Sequence, residues 1–156
     1  MTNQRSLKLQ TYGLTILRVV VGTVFFAHGA QKLFVWGYGG VVGAFEGMGV
    51  PFPAVTAAFA IGAELLGGAA LVLGLFTRFA TIPLALTMLG ALLTVHIGAG
   101  FFLPEGYEFV LTLLGASVAL TLTGPGALAV DNVLGRTESG SVSGTIQPRE
   151  EGRAAA

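Results

Sequence analysis

The sequence predicts an all-α fold: a polytopic membrane four-helix bundle with both termini cytoplasmic and a disordered C-terminal tail. Three observations predict it. Charged residues are 10% of the 156, against roughly 25% in an ordinary soluble domain. Hydrophobic residues reach 53%, and mean hydropathy is +0.79. Uncharged runs approaching the ~20 residues that carry a helix across a bilayer recur along the chain.

The elements follow in order. Residues 1–12 read as a cytoplasmic N-terminal segment carrying Arg5 and Lys8. Span one covers 13–34; its apolar run is interrupted by Arg18 and continues to Phe34, which argues against reading residues 1–30 as a cleaved signal peptide. A long first connection is punctuated by Gly37-Tyr38-Gly39-Gly40 and Pro51-Phe52-Pro53. Span two covers 54–76 and holds one charge, Glu64. A tight turn at Phe76-Thr77-Arg78 leads to span three, 79–99, with Pro83 near its start, where it kinks the helix at most. Gly98 to Gly106 form the third connection. Span four, 107–123, ends at Gly124-Pro125-Gly126. The transmembrane domain therefore runs 13–135 and closes with a short amphipathic cap at about 126–135. Residues 136–156 are mostly Ser, Gly, Thr, Glu and Arg, too few apolar groups to offset ordering entropy, so a disordered cytoplasmic tail is expected. A β-barrel would alternate in period two over ten-residue segments, which these Ala-, Leu- and Gly-rich runs do not.

Composition also excludes functions. With no Cys, a disulfide scaffold, a Cys-ligated metal and a thiol relay within the chain are ruled out. Net charge is zero, so no basic footprint for nucleic acid exists. Basic residues gather in the N-terminal segment, the second connection and the tail, which puts both termini in the cytoplasm.

Ionisable groups inside spans are costly and need a reason. Taking ~100° per residue, Arg18, His28 and Lys32 share one broad face of span one with Gly22 and Gly29. Glu64 in span two is flanked by Gly67 and Gly68, small residues that admit a neighbouring helix. Depth estimates put Glu64 nearly level with His28, with Lys32, His96 and Glu108 in an upper layer. A connected polar cluster in the outer half of the bundle is expected, with Arg18 snorkelling inward or reaching up to Glu64. His28, Lys32, Glu64, His96 and Glu108 are the ligand-binding or proton-relay candidates. Arg18, Gln31, Gly67 and Gly68 are the structural or polar-network candidates. The plainer reading is that such groups only tie helices together.

Several stretches together resemble one family. They are His28-Gly29-Ala30-Gln31-Lys32-Leu33-Phe34, Gly49-Val50-Pro51-Phe52-Pro53, Ala63-Glu64-Leu65-Leu66-Gly67-Gly68 and Gly74-Leu75-Phe76-Thr77-Arg78. His96 with Gly100-Phe101-Phe102, and Gly124-Pro125-Gly126 followed by Asp131, continue the series. In this order, across about residues 12–134, the chain resembles the DoxX family. Ala129 departs from the pattern, where Ser would be expected. The resemblance implies a four-helix inner-membrane protein similar to small subunits of quinone-linked oxidoreductases and of membrane complexes handling oxidative stress.

Three functional classes remain open on the sequence. The first is a subunit of a redox complex that holds a quinone, its partners being other proteins or, in a homo-oligomer, further copies of itself. His28 or His96 would donate to its carbonyl, Lys32 would stabilise negative charge, and Glu64 and Glu108 would pass protons. The chain has no recognisable flavin motif, so electrons would come from a partner or bound cofactor and the chain would not act alone. The second, weaker class is a haem carrier ligated by His28 and His96. The third is an assembly, anchoring or small-molecule transport protein.

Overall fold

The computed structural model of the protein describes residues 2–134; the expected tail at 136–156 lies outside them. All regular elements among the described residues are helical. Helix α1, Thr2–Ala30, begins well before the expected span and runs into a π-helical segment, π1, Gln31–Trp36. At Gly37, φ is +71°, a conformation that suits glycine, and the chain turns there into α2, Gly37–Gly47.

Helix α2 corrects the sequence reading, which took its glycines as loop punctuation. Five Gly in 11 residues weaken a helix, but packing overrides the propensity. Val41 is buried against Ala57 and Ile61, and the Tyr38 hydroxyl donates to the Ala54 carbonyl at 2.9 Å. A helix also satisfies its own backbone groups, which favours it wherever the chain dips towards the hydrocarbon core.

The second column is α3, Pro53–Gly62, then π2, Ala63–Gly67, then α4, Gly68–Leu73. Pro53 occupies the first helical turn, where its missing N–H costs nothing. Gly74, with φ +71° at the far end, closes the column: its N–H donates to Leu71 and that of Leu75 to Ala70. The third column is α5, Thr77–Ala91, then π3, Leu92–His96, then a 3₁₀ turn, Ile97–Ala99. Helix α6, Glu108–Thr123, is the fourth. The runs Asn3–Gly47, Pro53–Leu73 and Thr77–Ala99 are long and apolar enough to cross a membrane; Glu108–Thr123 is apolar but shorter.

All four columns contribute to one core: Val21 and Phe25 of α1, Leu71 of α4, Leu84 and Met88 of α5, and Leu113 and Leu120 of α6. Columns one and two approach closely, as their small residues predict. A Cβ on Gly22 would lie 2.7 Å from the Leu71 Cβ, and one on Gly68 would collide with the Phe26 backbone. Gly67 instead faces Leu84 of α5.

After α6 the chain folds back under the end of the bundle where α1 and α5 have their N-terminal halves. Within the expected cap at 126–135, residues 126–129 are non-helical and residues 130–134 form a helical turn. Hydrogen bonds tie its backbone down. Thr15 Oγ1 accepts from the N–H groups of Ala127 and Leu128 at 3.0 and 3.2 Å. The Asp131 carboxylate accepts from Phe76 and Thr77 N–H at 2.6 and 2.9 Å, capping α5. Ala129 packs on Gly74, where a larger group has no room.

Candidate functional site

Each π-helical segment carries one of the expected site residues: Lys32 in π1, Glu64 in π2 and His96 in π3. π-bulges interrupt the α-helical register and recur at functional positions. Lys32 Nζ donates to Glu64 Oε2 at 2.5 Å, an ion pair joining columns one and two. Glu64 is 2% exposed, and the Lys32 side chain 15%. Gly29, one turn below Lys32, lies against the Glu64–Leu65 backbone and brings the columns within reach of the pair.

The rest of the expected cluster is dispersed. Arg18 is 1% exposed, yet it neither snorkels nor reaches Glu64. Its Nη1 donates to the Leu71 carbonyl at 2.5 Å and to that of Val72 at 3.4 Å, and its Nη2 donates to the Leu128 carbonyl. These are the last carbonyls of α4 and one from the returning chain, the negative end of a helix where a guanidinium fits. Arg18 is therefore a tie between columns and the post-α6 segment. Glu108 is also local: its Oε1 accepts from Leu103 N–H at 2.9 Å. His96 Nδ1 lies 3.0 Å from the Glu105 carbonyl. A carbonyl only accepts, so Nδ1 carries the proton and, in the neutral ring, Nε2 is the acceptor.

His28 and Gln31 face outward, one turn apart on α1 and π1. With Ala27, Ala30, Phe34 and Val35 they line an open groove of about 500 Å³. The His28 ring lies 5.9 Å from that of Phe109, tilted by 49°. Ala27 and Ala30 make the hollow; the larger side chains form its walls. Sequence reasoning named His28 and Gln31 but not the groove. Its signal was a small residue before each of two polar side chains three apart, Ala27-His28 and Ala30-Gln31, followed by the bulky Phe34 and Val35. Asp131, missed as a cap, was visible only as part of a motif, because its partners lie 55 and 54 residues away.

The DoxX family model matches residues 13–97, which takes in the ion pair, the groove and all three π-helical segments. The chain belongs to the DoxX family. Among curated relatives, this DoxX protein is 37% identical over 119 residues to "Putative oxidoreductase CatD" of Bacillus subtilis (strain 168), covering 76% of this chain and 84% of that one. It is 30% identical over 128 residues to "Inner membrane protein YphA" of Escherichia coli (strain K12), covering 76% and 87%. It is 33% identical over 138 residues to "Inner membrane protein YqjF" of the same organism, covering 83% and 97%. No solved structure matches. With three apolar columns of spanning length and such relatives, this DoxX chain is a multi-pass inner-membrane protein.

Proposed function

We propose that this DoxX protein is the membrane subunit of a quinone-linked oxidoreductase or oxidative-stress redox complex, and that a quinone docks in the groove of α1 and π1. One observation carries the reading: His28 and Gln31 stand exposed on an apolar groove with no hydrogen-bond partner among the described residues. Trp36 and Tyr38 mark the interfacial level. His28 lies eight residues before Trp36, about 12 Å deeper, where unpartnered polar groups are expensive. Something from the bilayer has to satisfy them. A quinone carbonyl accepts hydrogen bonds, and a Gln amide and an imidazole N–H donate them. The groove is within the size range of small-molecule sites, and Phe34 and Phe109 offer apolar ring surface beside it.

His28, unlike His96, has its ring nitrogens uncommitted, so it is the histidine suited to donate. Quinone reduction takes two electrons and two protons. The chain has no Cys and no recognisable flavin motif, so the electrons enter from a partner subunit or a bound cofactor. The name of the Bacillus relative is consistent with a redox setting. The Lys32–Glu64 pair, starting one residue beyond Gln31, is the proton-exchanging group adjoining the groove.

The protein has a single tryptophan, Trp36, next to the groove-lining Val35. Titrating a short-chain quinone analogue into detergent-purified protein should quench its fluorescence saturably. His28→Ala and Gln31→Leu should each weaken binding by about tenfold, the equivalent of one hydrogen bond. A His28→Ala/Gln31→Leu double variant that binds like wild type would remove the site from the proposal.

A further inference from the structure

We propose a second site, independent of the first: the groove between α5 and α6, with Arg78 at its foot, binds an anionic phospholipid. The headgroup phosphate sits on the Arg78 guanidinium and one acyl chain lies along the groove.

The groove has a volume of about 280 Å³ and an almost wholly apolar lining. Ile82, Ala85 and Leu89 of α5 form one wall; Leu114, Val118 and Leu122 of α6 form the other. Arg78, Ile82, Ala85 and Leu89 are spaced i, i+4, i+7 and i+11, which sets them in one stripe of α5. The cation therefore stands on the face that forms the wall, about 6 Å below its first rung. The guanidinium leans across the foot of the groove to the end of α6, where a Cβ on Gly124 would lie 3.2 Å from Arg78 Nε.

Arg78 is exposed, and its guanidinium has no hydrogen-bond or carboxylate partner among the described residues. Asp131, at the same helix end, spends both carboxylate oxygens on the Phe76 and Thr77 N–H groups. Phe76 and Phe79 flank Arg78 and are 62% and 74% exposed, as aromatics are at a lipid–water boundary. A cation without a partner among the described residues, at that level and over an apolar channel open to the bilayer, complements a phosphate with a chain attached. A guanidinium is suited to a phosphate because it offers two parallel donors. Basic side chains between transmembrane helices hold acidic lipid headgroups in this way.

The test uses delipidated, detergent-purified full-length protein, with phosphatidylglycerol or phosphatidylcholine of identical acyl chains as probes and native mass spectrometry as readout. Wild type should retain phosphatidylglycerol about five-fold more than phosphatidylcholine, the contribution of one basic side chain at an anionic lipid surface. Arg78→Gln should abolish that preference and Arg78→Lys should keep most of it. Ala85→Phe, which fills the channel without touching the charge, should lower retention of both lipids. Equal retention by wild type, a preference surviving Arg78→Gln, or unchanged retention in Ala85→Phe would each overturn the proposal. Far-ultraviolet circular dichroism on each variant separates a lost site from a lost fold.

Discussion

At Lys32 and Glu64 two opposite charges leave water together. Each loses hydration, and the 2.5 Å contact returns it only while both partners are present. Removing one strands the other, which costs about 3–5 kcal/mol for a buried pair. Because the Lys32 side chain keeps 15% of its exposure, the lower end applies. Glu64→Gln should therefore destabilise the protein by about 3 kcal/mol in denaturant unfolding in detergent. The double variant Lys32→Met/Glu64→Gln should recover more than half of that. Strictly additive losses would mean the two side chains do not interact. The pair was partly legible. Residue type and approximate depth singled out both members, and the depth count that set Glu64 level with His28 agrees with Gly29 lying against the Glu64–Leu65 backbone. What the count did not supply was the pairing, because it placed Lys32 in a higher layer: the π-helical turns at Gln31–Trp36 and Ala63–Gly67 change the register, and a Lys stem spans more than a helical turn. Arg18 was illegible for another reason. Its partners are backbone carbonyls of Leu71, Val72 and Leu128, and no side-chain pattern reports where a distant carbonyl will be.

Among the elements, hydropathy and punctuation fixed three of the columns closely, because a lipid-spanning helix must be long, apolar and internally hydrogen-bonded. The miss was α2, where intrinsic propensity argued for a loop and burial of Val41 decided for a helix. The segment after α6, expected as a short cap, makes few repeating contacts of its own and is held by others, through Thr11, Thr15, Phe76 and Thr77. Its stability should accordingly depend on distant single residues. Asp131→Ala removes both caps of α5 and should cost about 1–2 kcal/mol, with faster amide exchange at Phe76 and Thr77 as the specific signature. If those amides exchange at the wild-type rate, the cap does not operate in solution. Gly68→Leu probes the α1–α4 contact. A side chain there meets the Phe26 backbone, which cannot yield as a flexible side chain would, so columns one and two must separate. The expected result is a loss exceeding the ~1–3 kcal/mol typical of overpacking, together with weakened Lys32–Glu64 coupling. Gly68→Leu with wild-type stability and coupling would show that the columns tolerate a wider spacing.

For the molecule as a whole, the open question of direction follows from where its sparse charges fall. Arg5, Lys8 and Arg78 lie towards the end where α1 begins; Glu105 and Glu108 lie at the opposite end, together with Trp36, Tyr38 and Tyr107. Lys32 is the basic residue nearer that second end, but Glu64 neutralises it, so it no longer counts against the bias. Pairing thus removes the one exception to a positive-inside arrangement, and the N-terminal end of α1 should face the cytoplasm. The two proposed sites would then be at different depths, the quinone groove in the outer half and the Arg78 lipid site at the cytoplasmic boundary. The absence of native Cys allows a clean measurement. Single-cysteine variants Ser6→Cys and Glu105→Cys, expressed in cells, are exposed to a membrane-impermeant maleimide. Glu105→Cys should label in intact cells once the outer barrier is opened, and Ser6→Cys only after the inner membrane is permeabilised. The reverse pattern would invert the topology and with it the leaflet from which the Arg78 site draws its lipid, while leaving the chemistry of both grooves unchanged.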